Sequence, residues 1–241
     1  MKKIFLAFIL SILAGTMVSC GGGSVKPGSL TDPGYYIQIT ERAKEPWETI
    51  KVYVYHDKMK VVYGGAPGKC IIVNGDKMVE VNEDKKTFTD VSAFLIDREN
   101  PAKGLQGYIE SITKTKNAKL DLLRQLQMYY VVHETTIAGF KTKEYSAHDD
   151  TKTGEAKYMH LYFTDAQEMK DLIAGLEKNT SGLAKVLAFQ HFFDRPDFGW
   201  FVASSEVYGI VKSWILDEFG EFALGDAFFS LDGYTETAGN Q

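Results

Sequence analysis

The stretch TIKVYVYHDKMKVVY, residues 49–63, alternates apolar residues with polar or aromatic ones on both sides of a central His-Asp-Lys sequence. A period of two places successive side chains on opposite faces of an extended chain, which is typical of a half-buried β-strand. Asp57 and Lys58 interrupt the alternation, and Asp favours turns because its side chain bonds the local backbone. The stretch therefore predicts an antiparallel hairpin with strands at Thr49–His56 and Met59–Tyr63.

Similar short strands are predicted on both sides of this hairpin. The connections Asn74 to Asp76 and Asn82 to Lys85 contain Asn or Gly, which tolerate the positive φ of tight turns. Residues 200–222 are also apolar and rich in β-forming side chains. The other predicted strands are Tyr35–Arg42, Cys70–Val73, Met78–Val81, Thr87–Val91, Met128–Thr136, Phe140–His148 and Ala156–Phe163. Short strands joined by tight turns predict a mainly β protein built on an antiparallel sheet.

Helices are predicted in the second half of the chain, which makes the fold class α+β. The clearest covers residues 166–178, where apolar residues recur at i, i+3, i+4 and i+7 and form one face of a helix. These residues are Met169, Leu172, Ile173 and Leu176. Thr164 or Asp165 is expected to cap this helix, with Gln167 or Glu168 completing a capping box. A second helix is predicted over residues 181–193 and ends before Pro196, and a third within Gly104–Met128.

The strands have a second face that carries aromatic side chains opposite the aliphatic one. Tyr53 and Tyr55 share a face of one strand, and Tyr158, His160 and Tyr162 share a face of another. A tyrosine combines a flat apolar ring with one polar tip, which suits a partly dry binding surface. The five residues are therefore candidate ligand-lining side chains. The alternative is the ordinary preference of tyrosine for strands, with no site at all.

The N-terminus has the features of a secretory signal. Lys2 and Lys3 are followed by an apolar run over residues 4–14, and small residues lead to Met17-Val18-Ser19-Cys20. The apolar run is shorter than the roughly 20 residues of a membrane span. The ending resembles the lipobox of bacterial lipoprotein precursors. That resemblance implies removal of residues 1–19 and attachment of a diacylglyceryl group to Cys20.

Composition predicts one domain after this signal. Residues 20–34 contain the lipidated cysteine and a linker rich in Gly, Pro and Ser, residues 35–236 form a single domain, and residues 237–241 are a tail. The formal net charge is −5 before processing, and removal of Lys2 and Lys3 makes the mature chain more acidic. An acidic domain is not expected to bind nucleic acid.

No catalytic, metal or cofactor pattern is present in the sequence. The histidines lack zinc-site spacing, and there is no GxSxG sequence or phosphate-binding loop. The cluster His148, Asp149 and Asp150 precedes a predicted hairpin turn, which favours solvated residues over a metal site. Cys70 is expected to be a small buried residue at the start of a strand. We therefore expect no catalytic residue, no metal and no cofactor, and a hydrolase is the least favoured function.

Three segments of the chain resemble a family of bacterial secreted proteins catalogued as a domain of unknown function. They are Ile50–Val91, Ile137–Tyr145 and Phe228–Tyr234. The family is similar in turn to the LolA and LolB lipoprotein carriers. This resemblance implies a curved antiparallel sheet that forms a half-barrel, with helices across its concave face, where the carriers hold acyl chains.

Together these features predict a non-enzymatic lipoprotein of the bacterial envelope, anchored by its N-terminal lipid, at the outer membrane facing the periplasm. Its expected ligand is lipophilic, either a lipid or a lipidated polypeptide held in the half-barrel. The alternative is a structural or interaction lipoprotein that docks on an envelope protein. An open apolar cleft would support the first function, and a filled core the second.

Overall fold

A computed structural model describes residues 30–41, 48–95, 127–148, 158–191, 194–195, 199–205, 212–223 and 225–238. Several predictions lie outside these ranges: the signal sequence and Cys20, most of the helix expected within Gly104–Met128, and the turn at Asp149 and Asp150. Within the described ranges, no helix is long and apolar enough to cross a membrane.

The described residues form a curved sheet of thirteen strands that is not closed. Its strand order is β13-β6-β5-β4-β3-β2-β1-β12-β11-β9-β8-β7, with β10 paired to β11. The described ladders are antiparallel except for that between β13 and β6. The strands are β1 (Gly34–Glu41), β2 (Glu48–Tyr55), β3 (Lys58–Tyr63), β4 (Lys69–Asn74), β5 (Lys77–Asn82), β6 (Thr87–Asp90), β7 (Gln127–Ile137), β8 (Phe140–His148), β9 (Tyr158–Thr164), β10 (Asp194–Arg195), β11 (Gly199–Ser205), β12 (Lys212–Phe222) and β13 (Thr235–Glu236).

The predicted strands and the mainly β, α+β class are confirmed. In the central hairpin Val52 lies opposite Val61 and Val54 opposite Met59, and all four are fully buried. The β4–β5 turn places Gly75 at a φ of 58°, and the β7–β8 turn places Ala138 and Gly139 at 51° and 84°. Positive φ at both central residues, as at Ala138 and Gly139, or at a first-position glycine, as at Gly75, gives the turns whose twist matches that of a two-residue hairpin. Local turn chemistry therefore sets the hairpin registers.

Two helices follow β9 and confirm the prediction for this region. They are α1 (Gln167–Asn179) and α2 (Gly182–His191). The apolar stripe of α1 is buried as predicted. The predicted capping box is wrong, because α1 begins after Ala166 and has no side-chain cap. The Thr164 hydroxyl instead accepts a hydrogen bond from the Ala166 N–H at 3.2 Å, within the turn that leads into the helix.

The main core lies between these helices and the sheet face that they cover, here called the inner face. Its members come from both ends of the sheet and from both helices, and most are fully buried. The Tyr35 hydroxyl accepts a 2.6 Å hydrogen bond from the Asn179 side chain at the end of α1. The Ser181 N–H, between the helices, donates to the His56 carbonyl in the β2–β3 turn at 3.0 Å. These contacts hold the helix pair against the first hairpin.

A second hydrophobic cluster lies on the opposite, outer face of β2–β6. It is covered by residues 225–236, here called the strap, which ends in β13. Phe229 of the strap is almost fully buried against Ile72, Val79 and other outer-face residues. Basic side chains hold the strap along its length: Lys58 pairs with Asp226 at 2.6 Å, and the Lys60 and Lys86 ammonium groups lie over the Phe228 and Tyr234 rings.

Candidate ligand-binding site

The structure places Tyr53 and Tyr55 on the outer face, beneath the strap. The Tyr53 ring contacts the Phe228 ring edge-on, with centroids 5.1 Å apart, and the Tyr55 ring stacks on Phe229 at 6.3 Å. The Tyr55 hydroxyl donates to Asp32 at 2.7 Å. These two tyrosines therefore belong to an intramolecular aromatic cluster in which Phe228 and Phe229 of the strap pack against their rings.

His160 and Tyr162 belong to a separate polar cluster around Glu144 of β8. The Glu144 carboxylate accepts hydrogen bonds from His133 Nδ1 at 2.7 Å and His160 Nδ1 at 2.6 Å. The Tyr162 hydroxyl also bonds this carboxylate, and Tyr162 is 1% exposed. Tyr158 occupies the same face of β9 by alternation, and its side chain lies outside the described part of the structure.

The four candidate residues whose side chains the structure describes, Tyr53, Tyr55, His160 and Tyr162, thus do not form one site with the helices. The alternation correctly separates them from the aliphatic face, but α1 and α2 cover that aliphatic face. Three strands, β1, β12 and β11, lie between β2 and β9. At about 4.8 Å per strand, Tyr53 and Tyr162 are separated by about 19 Å along the sheet. Alternation in the sequence identified the sheet face on which these side chains lie. It could not identify which strands and segments lie next to them.

The Glu144 cluster joins three adjacent strands at a weak point of the sheet. The β7–β8 register shifts between Tyr130 and Glu134, so ladder pairing is interrupted beside His133. Burial opposes ionisation of Glu144, but hydrogen bonds and charge attraction from His133 and His160 outweigh it and lower its pKa. Burial and the nearby Glu144 charge raise the pKa of Tyr162 to about 12. The geometry indicates a structural cross-link with an ionised carboxylate at its centre.

Glu144→Gln is expected to lower the free energy of unfolding by about 2 kcal/mol at neutral pH, because hydrogen bonds to a charged group contribute roughly 1.5–3 kcal/mol. The pKa of Glu144 in the folded protein lies below the ordinary value of 4.5. The carboxylate's contribution is therefore complete above that value and is lost as the pH falls through the folded-state pKa. The stability gap between the two proteins, measured by urea denaturation, should narrow as the solution is acidified towards about pH 3.

Glu134→Gln is the matched control, since Glu134 is an exposed carboxylate on the neighbouring strand. Its expected effect is within about 0.5 kcal/mol. Equal losses in the two variants, or a gap that stays constant with pH, would show that Glu144 contributes no special ionic stabilisation.

A cleft of about 470 Å³ opens at the end of the main core, where the β7–β8 turn, the start of α1 and β12 meet. This end cleft has Phe140 and Phe219 in its wall, with ring centroids 5.0 Å apart. Phe140 is buried in the main core and Phe219 packs against it. The remaining lining residues are Ala138, Gly139, Lys141, Thr164, Asp165, Ala166 and Glu168. The cleft thus combines an aromatic wall continuous with the core and a charged rim, at a volume typical of ligand pockets.

A smaller cleft of about 220 Å³ lies on the outer face between the strap and strands β4 and β5. Ile72, Val79, Phe229 and Leu231 line it together with polar residues. The first three of these side chains are almost fully buried. This space is consistent with imperfect packing at the edge of the strap.

No pattern in the sequence predicts the end cleft as a whole. The Ala138-Gly139 turn was visible as part of the family resemblance, but Phe219 lies about 80 residues further on. Their proximity depends on the neighbouring order β8-β9-β11-β12 in the sheet, which brings strands from distant parts of the chain together. Pairing at such sequence separation is set by tertiary structure.

The described residues contain no group of three or more His, Cys, Asp or Glu side chains arranged to hold a metal ion. Cys70 lies near the start of β4 and is buried, as predicted. Burial raises the pKa of its thiol to about 11, so the thiolate is scarce at neutral pH.

The fold and its clefts define the class of this protein: a mainly β, α+β protein with a curved, unclosed antiparallel sheet, two helices on one face and a strap on the other. No family model matches the chain, and no curated protein matches it. Among solved structures it is similar to PNGF-II in the C2 and P21 space groups, with TM-scores of 0.31 and 0.30 and 11% sequence identity. These matches cover 86% of this chain and 31% and 32% of PNGF-II, so the chain spans about a third of that protein.

Proposed function

We propose that this protein is a membrane-anchored, non-enzymatic lipoprotein of the bacterial envelope that binds a lipophilic ligand at the end cleft. The observation that carries the binding function is the aromatic pair Phe140 and Phe219, which lines a cleft of about 470 Å³ continuous with the main core. An apolar chain lying against these rings loses contact with water, worth about 0.8 kcal/mol per fully buried methylene.

The sheet supports the further proposal of a half-barrel similar to that of the LolA and LolB carriers. Its curvature, its separate edge strands and the position of both helices on one face are the features expected of such a half-barrel. The ligand site proposed here differs from the one expected from the tyrosines, because it lies at the end of the helix–sheet interface.

A second candidate function is docking on another envelope protein, and the packing of the main core favours it. Leu172, Leu176 and Leu187 of the helices are fully buried against the sheet. Side chains therefore already occupy the described interface between helices and sheet, where a long acyl chain would otherwise lie. Binding at the end cleft and docking at a surface make different predictions for a soluble protein.

Phe219→Ala is expected to weaken binding of a fluorescent twelve-carbon acyl probe at least tenfold, because it removes one ring of the cleft wall. The described fold begins at residue 30, so a soluble chain of residues 21–241 retains all of it. Fluorescence titration of this chain should saturate, and circular dichroism should show that both proteins are folded.

Phe222→Ala is the matched control, since Phe222 is also a half-buried phenylalanine of β12 but packs on the outer face against Tyr53. It should leave the dissociation constant for the probe within about twofold. Absence of saturable binding to the wild-type chain would favour the docking function. Equal weakening by both variants would place the ligand somewhere other than the end cleft.

The anchor is tested separately by Cys20→Ala in the full-length chain. The lipobox resemblance of residues 17–20 implies that the Cys20 sulfur carries the diacylglyceryl group. The variant should lose incorporation of labelled lipid and leave the membrane fraction, since two or more acyl chains are needed for stable anchorage. Retention of Cys20→Ala in membranes after a salt wash would contradict a lipid anchor at this residue.

A further inference from the structure

We propose that the ligand of the end cleft is an anionic amphiphile whose charged group pairs with Lys141 while its apolar chain lies against Phe140 and Phe219. This inference rests on the proposed binding function and names its ligand class. It is argued from the charges at the rim of the cleft.

Three charged residues line the cleft: Lys141, Asp165 and Glu168. Asp165 already has a cation, because the Lys143 ammonium lies 3.3 Å from its carboxylate. The positive charge of Lys143 and the negative charge of Asp165 therefore cancel at the rim of the cleft. Asp165 is therefore already paired and does not favour a cationic ligand.

Glu168 lies in the first turn of α1. The N-terminal end of a helix carries a partial positive charge that stabilises acidic side chains in its first turn. The charge of Glu168 is thus partly compensated by its own helix.

Lys141 is the cation among the three charged residues that line the cleft. It is exposed, and it makes no salt bridge among the residues that the structure describes. Asp165 is paired and Glu168 is partly compensated by its helix, whereas Lys141 has no salt bridge among the described residues, so charge complementarity favours a carboxylate or phosphate at the polar end of the ligand. The apolar wall formed by Phe140 and Phe219 in turn favours a ligand that carries an alkyl or acyl chain attached to the anionic group.

The test compares three fluorescent probes with the same twelve-carbon chain and different ends: a carboxylate, an alcohol and a trimethylammonium group. Residues 21–241 should bind the carboxylate about fivefold more tightly than the alcohol, near the upper end of what an exposed ion pair contributes. Raising the salt concentration should reduce this preference, because exposed charges are screened. Acetate and inorganic phosphate should not displace the bound probe, because they lack the chain.

Two variants separate the contribution of the Lys141 charge to binding from that of other lysines. Lys141→Gln should abolish the preference for the carboxylate while the alcohol still binds as before. Lys178→Gln is the matched control and should keep the preference, because Lys178 is an exposed lysine in the last turn of α1, at the end of the helix away from the cleft.

The failures of the two proposals are distinguishable. If none of the probes binds, the proposed binding function fails and the ligand class fails with it. If all three bind equally, or if Lys141→Gln keeps the preference, the cleft binds apolar chains but the anionic class is wrong. Tighter binding of the trimethylammonium probe would overturn the inference in favour of a cationic ligand near Glu168. Displacement by phosphate alone would show an anion site that needs no chain.

Discussion

Leu172→Asp is expected to reduce the free energy of unfolding by more than about 4 kcal/mol, because it combines a lost core contact with a buried, unpaired charge. Leu172 is fully buried at the centre of the apolar stripe of α1 and belongs to the main core. The carboxylate would lie between the helix and the sheet, among apolar side chains. A loss of this size is a large share of the 5–15 kcal/mol that stabilises a typical domain. Urea denaturation followed by circular dichroism measures it.

Ala174→Asp provides the matched control. It introduces the same side chain two residues further along the same helix, at an exposed position. Its expected cost is below about 1 kcal/mol, which reflects helix propensity alone. If Leu172→Asp does not fold, Leu172→Ala gives a measurable alternative, with an expected loss of about 3 kcal/mol or more. An unchanged midpoint for Leu172→Ala would mean that α1 does not pack on the sheet.

Phe229→Ala is expected to destabilise the protein by about 3–5 kcal/mol, the range for removing a fully buried phenylalanine. Phe229 is 1% exposed and is the most buried side chain of the strap. It fills the space between the strap and the outer face, beside the Tyr55 and Phe228 rings. Without it, the strap would be held by the partly buried Phe228, Leu231 and Tyr234, the Lys58–Asp226 ion pair and a two-residue parallel ladder. Exposed ion pairs contribute less than about 1 kcal/mol each.

Limited proteolysis adds a local readout, since cleavage within residues 225–236 should become faster in Phe229→Ala. Asp232→Ala is the control, because Asp232 is exposed on the same strap. It should change stability by less than about 0.5 kcal/mol. A Phe229→Ala protein with wild-type stability and wild-type cleavage would show that the outer cluster does not hold the strap.

The largest effects are therefore expected on opposite faces of one sheet. Leu172 tests the inner core, where the helices pack, and Phe229 tests the outer cluster, where the strap packs. The end cleft lies at the end of the inner core and the smaller cleft lies under the strap. Measuring probe binding in Phe229→Ala would show whether the outer cluster affects the ligand site.

Local patterns predicted the secondary structure because they act over a few residues. Alternation placed Val52 and Val54 on one face and Tyr53 on the other, and the structure confirms that separation. The spacing of Met169, Leu172, Ile173 and Leu176 predicted the buried face of α1. The helix cap was predicted wrongly, because the Thr164 hydroxyl accepts its hydrogen bond from Ala166 in the turn preceding the helix.

The residue pattern is thus enough to predict which residues are extended or helical and which side chains share a face, since these follow from backbone geometry and burial of apolar surface. What each face contacts, in contrast, follows from the packing of the whole chain. The strap covers Tyr53 and Tyr55, Glu144 gathers His133, His160 and Tyr162, and β12 brings Phe219 to Phe140. Each of these contacts joins elements distant in sequence, and their pairing depends on the free energy of the whole packed arrangement, which local patterns do not contain.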